Sequence, residues 1–308
     1  MKSIYRYSTI IFLLIALGPG CQQWKESSTT SGSITVAIDE SIATPIDSVL
    51  RKFESLYKDA HVTRMITTSR EAVILLSEKK VQLAFLGRDL LKDEAAVLNQ
   101  NSSEKQIMKY KIAVHALGLM VNASNQLHEL SMETLTKIFH GQVDNWNEIG
   151  GRKAPIHLAM TGLNSTSYAI LSQMHVLDSL HCNYEFVARS SQVDSVLIAK
   201  PNTIGIQPLA WISSDTNRVR SLEVMSTIPE DTAKRIYPIG IHLANIYRER
   251  YPLRATIYAI VHDEGVNLPL GIISFFTSAT GQKLLLQNGV VPATMPVRLV
   301  QFGENSGE

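Results

Sequence analysis

The chain has 308 residues, 29 lysines and arginines against 28 aspartates and glutamates, a formal net charge of +1 and 45 % hydrophobic residues. A near-neutral balance without basic runs excludes nucleic acid as the natural partner. A chain of this length exceeds one ordinary domain and can bury a large core, most simply in two lobes.

In chain order, Lys2 and Arg6 precede an apolar run from Ile10 to Leu17 and then Gly18-Pro19-Gly20-Cys21. Residues 1–20 therefore read as a secretory signal peptide, with an apolar run too short to span a membrane. A cysteine directly after small residues at the cleavage point predicts a bacterial lipoprotein whose lipid-bearing first residue is Cys21; the alternative is ordinary secretion with cleavage nearby. If Cys21 carries lipid, Cys182 has no partner within the chain and reads as a small buried apolar residue. Both charges of the leader are positive, so its removal leaves 27 basic against 28 acidic residues. Residues 21–32 are polar and read as a flexible tether.

Ile34, Val36 and Ile38 alternate as a strand that ends at Asp39-Glu40-Ser41, and Ile46, Val49, Leu50, Phe53 and Leu56 follow at helical spacing with Pro45 near the first turn. A second strand over 62–66 stops at Thr67-Thr68-Ser69 before a helical run with Val73 and Leu76. A third over 81–86 stops at Gly87-Arg88-Asp89 before another helix. Strand, polar turn and helix thus repeat, which is the α/β signature, and open α/β sheets gather ligands at the carboxyl ends of their strands.

The apolar run 112–121 is long enough to cross from one lobe to another. Ser131 caps a helix stopped by Gly141, with Leu130 facing Leu135 as a staple, and Trp146 packs a core. A strand beginning at Ile156 enters the turn Asn164-Ser165-Thr166, and Tyr168, Ile170, Leu171, Met174 and Leu177 then recur at helical spacing. Hydroxyls and free backbone N–H groups at a helix start suit an anion; the same residues also serve as an ordinary helix cap. A helix over 193–199 and a strand after Asn202 come next. Residues 251–261 form a second candidate crossing, and two terminal helices close at Asn288-Gly289. Two crossings imply one lobe built from both ends of the chain and another from its middle.

The nine histidines form neither a His-x-x-x-His pair nor a compact cluster with carboxylates, so neither a metal site nor a cofactor is expected. The turn at 162–167 lacks Gly-x-Ser-x-Gly, and no catalytic constellation is visible, which argues against an enzyme.

Leu135 to Trp146, with its Ile-Phe-His-Gly and Asn-Trp, resembles a motif of the phosphate-binding proteins of bacterial ABC transporters, a branch of the type 2 periplasmic binding proteins. Residues 112–122, Thr203-Ile204-Gly205-Ile206, Tyr251-Pro252-Leu253-Arg254, Gly281-Gln282 and Gly289-Val290-Val291-Pro292 are similar to further motifs in the same order. The resemblance implies a two-lobed α/β fold with two crossing strands: lobe I over 33–113 and 256–302, lobe II over 114–255. It places the ligand loops on Asp39, Glu40 and Ser41, on Ser69, on Arg88, and on Asn164, Ser165 and Thr166. The family's arginines correspond to Met160 and Ser167, so only the hydroxyl and amide character of that loop is kept. Chemically, Arg88 and the hydroxyls would donate hydrogen bonds and Asp39 or Glu40 would accept the remaining proton of phosphate, which excludes sulfate.

The function so implied is that of an extracytoplasmic lipoprotein, monomeric and tethered to the membrane through its lipid alone, that passes phosphate or a similar oxyanion to an ABC permease. Hinge closure about the crossings would hide the anion from water. The rival from another class is a non-transport envelope lipoprotein of the same fold with a degenerate pocket, acting as a sensor or interaction protein.

Overall fold

The computed structural model describes residues 28–100, 107–177, 181–212, 215–262 and 265–293. The predicted leader and the proposed lipid site, Cys21, lie outside the described residues.

The first half of the chain lays down β1 (Gly32–Asp39), α1 (Ala43–Leu56), β2 (Ala60–Thr67), α2 (Ser69–Ser77), β3 (Leu83–Leu86), α3 (Lys92–Gln100), β4 (Ile107–Asn122), β5 (Glu129–Ser131) and α4 (Met132–Phe139). Then follow β6 (His157–Thr161), α5 (Thr166–Gln173), β7 (Asn183–Val187), α6 (Val193–Ala199), β8 (Thr203–Pro208), β9 (Val219–Ser221), β10 (Glu223–Thr227) and β11 (Ile236–Ile239). The chain ends in α7 (Leu243–Tyr247), β12 (Arg254–His262), α8 (Leu268–Thr277), α9 (Ala279–Gln287) and β13 (Val291–Pro292). One curled sheet runs in the order β2-β1-β3-β12-β4-β8-β6-β7, with β13 and β9 also paired to β4; β11, β10 and β5 form a smaller sheet.

Local sequence explains the elements that matter for the site. β1 is parallel to both β2 and β3. A strand covered on both faces needs a continuous apolar run, and Val36, Ala37 and Ile38 are fully buried. In α1 the residues Ile46, Val49, Leu50 and Phe53 form the buried face, and Pro45 sits in the first turn, where its missing N–H leaves no bond unmade. Phe53 meets Phe275 edge-on at 5.5 Å, and Phe85 meets Phe276 at 4.7 Å, so the terminal helices close the core that the first strands begin.

The apolar interior of the described residues forms four clusters, two of them large. One large core joins residues of β1, α1, β2 and β3 to residues of β12, α8 and α9, while the other gathers residues from the latter part of β4 through Leu253 together with Val291 of β13. The predicted crossings are β4 and β12, paired antiparallel from Arg254 opposite Ala116 to His262 opposite Ile107, with an irregularity between Ile257 and Tyr258. Tyr251 and Leu253, expected inside the second crossing, precede β12. Tyr251 is buried, its hydroxyl donating to the Leu117 carbonyl at 2.9 Å.

One detail differs from the sequence reading. α5 stops at Gln173 although the apolar spacing continues to Leu177. His175 adopts φ 58°, and the N–H groups of His175 and Val176 bond to the carbonyls of Ser172 and Leu171. This is the Schellman closure usually made by glycine, and it carries Val176 and Leu177 into the core outside the helix. Arg254, the last residue of the Tyr-Pro-Leu-Arg motif, makes a surface ion pair with Glu249 at 3.1 Å; such a pair contributes little.

Candidate ligand-binding site

The parallel register sets Asp39 of β1 beside Thr67 of β2, and Phe85 of β3 beside Ile38. The carboxyl ends of the three strands therefore lie together, and each opens into the polar turn that the sequence marks. From the facing lobe, β6 ends at Thr161 and its turn delivers Thr166 as the first residue of α5.

The turns meet on one carboxylate. Asp39 Oδ1 accepts from the Ser41 N–H at 3.0 Å, capping the 3₁₀ turn Glu40–Ile42. Asp39 Oδ2 accepts from the Gly87 N–H at 2.9 Å, from Ser69 Oγ and from Thr166 Oγ1. The two hydroxyls are 2.7 Å apart. All of these side chains are buried: Asp39 is 2 % exposed, Ser69 and Thr166 0 %. Ser69 and Thr166 each begin a helix, and helix N-termini carry partial positive charge and N–H groups without intrahelical partners. Thr68 and Ser165 are the caps proper, accepting from the Glu71 and Tyr168 N–H groups, so the cap reading holds for Ser165 and the residue after it faces the carboxylate.

Glu40 makes a second contact across the cleft. Its carboxylate accepts from Ser190 N–H at 2.9 Å and Ser190 Oγ at 2.8 Å, and its main-chain carbonyl accepts from Trp211 Nε1 at 2.9 Å. Gln207 Nε2 holds that side in place by donating to the Ser190 and Trp211 carbonyls. Burial raises the Glu40 pKa above the ordinary glutamate range despite these donors. Ser190, Gln207 and Trp211 carry no motif in the sequence; the polar turn before the α6 helical run was a signal for Ser190 alone.

Arg88 departs from the expectation of a ligand donor. Its Nη1 and Nη2 donate to Glu94 Oε2 and Oε1, each at 2.7 Å, and Nη1 also donates to the Asp89 carbonyl at 2.8 Å. The fork-to-fork carboxylate ties both Nη atoms to the fold, while the buried Nε has no hydrogen-bond partner among the described residues. Met160, at a position of a family arginine, is 1 % exposed in the second core. Ser167, at the other, is 1 % exposed and its Oγ has no hydrogen-bond partner among the described residues; Ser41 Oγ, with Ser41 3 % exposed, is likewise without one.

A cavity of about 400 Å³ opens beside this cluster, lined by Asp39, Glu40, Ser41, Asn164, Thr166 and Phe186 among others. No lysine or arginine is among its described lining residues. Hydroxyls and the Asp39 and Glu40 carboxylates share its wall with apolar Leu163, Phe186, Val187 and Ala188, and Asn164 is exposed.

His115 on β4 supports the cluster from behind. It is fully buried, and its Nε2 lies 2.5 Å from the Gly87 carbonyl. A carbonyl only accepts, so Nε2 carries the proton and the ring clamps the turn whose N–H serves Asp39. Burial lowers the imidazole pKa below its ordinary value, outweighing the Gly87 carbonyl and the Asp39 charge, which raise it. The unfolded chain therefore takes up a proton near pH ~6.5 that the folded one refuses, and stability falls as pH drops below that point, by at most about 1.4 kcal/mol per pH unit. Glu40, raised by burial, works oppositely: its contribution is present below the ordinary carboxylate range and fades as pH rises. Urea unfolding at pH 5.5 and 7.5 should show a smaller acid loss in His115→Gln, which keeps a donor to Gly87; an undiminished loss would remove His115 from this role.

The sequence profile of a family described as a PBP superfamily domain matches residues 25–280. The "Phosphate-binding protein PstS" of Bacillus subtilis is 24 % identical over 272 residues, covering 88 % of this chain and 84 % of that protein. Its namesake from Borreliella burgdorferi is 21 % identical over 292 residues, covering 91 % and 97 %. Among solved structures, a putative phosphate ABC transporter substrate-binding protein with bound phosphate from Clostridium perfringens matches with a TM-score of 0.73 at 18 % identity, over 85 % of this chain and 100 % of that one. An ABC-type phosphate transport receptor from Vibrio cholerae gives 0.66, also at 18 % identity, over 84 % and 100 %. With a profile match across most of its length and the mixed, two-lobed sheet described above, this chain belongs to the PBP superfamily.

Proposed function

We propose that the protein captures phosphate or a similar small oxyanion outside the cytoplasm and presents it to an ABC permease. The observation that carries this reading is the convergence of anion donors from both lobes: main-chain N–H groups of Ser41 and Gly87, first-turn hydroxyls of Ser69 and Thr166, and the partnerless Ser41 Oγ. Helix N-termini and successive N–H groups are general anion receptors, and relatives named as phosphate-binding proteins support the choice of ligand. Lobe I is taken as 33–113 with 256–302, and lobe II as 114–255. Cys21 serves as the lipid anchor of a monomer that performs no catalysis.

Thermal unfolding of the mature domain with phosphate, sulfate and small organic acids tests this directly. A ligand at 100 times its Kd adds about 2.7 kcal/mol of stability, so phosphate at millimolar concentration should raise Tm by a few degrees and the Ser165→Ala, Thr166→Ala double variant should lose the rise. No response to phosphate would sink the proposal. A second reading, a non-transport envelope protein with a degenerate pocket, is favoured by one observation: a carboxylate already sits among the donors and the described cleft wall has no cation.

A further inference from the structure

The donors around Asp39 are those that an incoming oxyanion needs. A carboxylate is itself an oxyanion, and here it receives two main-chain N–H groups and two first-turn hydroxyls. Capping the 3₁₀ turn accounts for Oδ1 and Ser41 alone. The three donors on Oδ2 come from the turn after β3, from α2 and from α5, and Thr166 is 127 residues away in the chain and on the facing lobe. Gly87 is drawn tight against this oxygen: a Cβ on it would lie 2.9 Å from Asp39 Oδ2 and 2.5 Å from Ser41 Oγ. His115 fixes the same turn from behind.

We infer that Asp39 is an internal mimic of the ligand, one that competes with an external oxyanion for the donor cluster and ties the two lobes together through Thr166. Two consequences follow from the contacts. An entering anion has to displace a carboxylate that is covalently part of the site and therefore present at high effective concentration, so external affinity is held down. The lobes also have a cross-cleft bond whose strength does not depend on any ligand, with Glu40 and Ser190 beside it, so the closed form is populated by the chain's own chemistry. Asp39 is thus a determinant of affinity and of closure, separate from which anion the cleft takes.

The test uses the full mature chain in phosphate-free chloride buffer, with and without 10 mM inorganic phosphate, read by small-angle X-ray scattering and by calorimetric titration. Wild type should keep the same radius of gyration in both buffers. Asp39→Ala should expand without phosphate, contract when phosphate is added, and bind phosphate at least tenfold more tightly than wild type. Asp39→Asn, whose amide fills the same space and turns an NH₂ toward fixed donors, should expand without the gain in affinity. Thr166→Val leaves Asp39 intact and removes the cross-lobe hydroxyl; it should expand too, and it decides the closure claim if the Asp39 variants do not fold. Wild-type dimensions in Thr166→Val and Asp39→Ala would overturn the latch. Weaker phosphate binding in Asp39→Ala would overturn the competitor, since Asp39 would then be a direct acceptor for the ligand's proton. If wild type and Asp39→Ala both ignore phosphate, the functional reading fails, while the scattering still judges the latch.

Discussion

Glu94→Ala should cost the fold about 3–5 kcal/mol, because it leaves the Arg88 guanidinium buried without its carboxylate. Arg88 is 2 % and Glu94 4 % exposed, and both Nη nitrogens bond to the carboxylate at 2.7 Å. Glu94 Oε2 also accepts the Leu91 N–H at 2.9 Å, ordering the start of α3. Replacing both partners with apolar residues of similar volume, Arg88→Met with Glu94→Leu, should cost far less, since no unpaired charge stays behind. Urea unfolding of the three proteins measures the difference. A Glu94→Ala loss below about 1 kcal/mol would mean that Arg88 finds another partner, and the cleft would be the first place to look.

Gly87→Ala should damage the site more than any other single methyl group. The added Cβ would stand 2.5 Å from Ser41 Oγ, 2.9 Å from Asp39 Oδ2 and 3.2 Å from His115 Nε2, all inside van der Waals separation. Something must shift: Asp39 is held by its donors and His115 by the Gly87 carbonyl, so only the partnerless Ser41 Oγ is free to rotate, and its movement leaves the other two contacts in place. Overpacking of this kind costs about 1–3 kcal/mol. Because displacement moves the Asp39 carboxylate and the Gly87 N–H together, phosphate affinity should also change by at least tenfold. A variant with wild-type stability and unchanged titration would show that the turn is softer than its contacts imply.

The sequence disclosed the loops better than the partners of individual side chains. Asp39, Ser69 and Thr166 were legible because each ends a strand or begins a helix in a periodic pattern, and the pattern places such residues at one edge of the sheet. Arg88 was legible as a loop residue, but its commitment to Glu94 was not. A cation near a predicted anion site reads as a ligand until the carboxylate six residues on is seen to fold back onto it. Ser190, Gln207 and Trp211 were missed altogether, since a serine before a short helix and a glutamine in a strand are common everywhere.

What the sequence by itself determined is the alternation of strand, polar turn and helix, the two crossings, and the family motifs in their order. These depend on periods of two and 3.6 residues and on caps, all encoded within a few neighbours. Only the tertiary structure decided that the Asp39 carboxylate occupies the donors, that Arg88 is spent on Glu94, and that Glu40 reaches Ser190. Those pairings join residues separated by 127 and 150 positions across the cleft, or turn on which of two nearby charges a buried guanidinium meets. Their outcome depends on packing and desolvation at the point of contact, which no local spacing records.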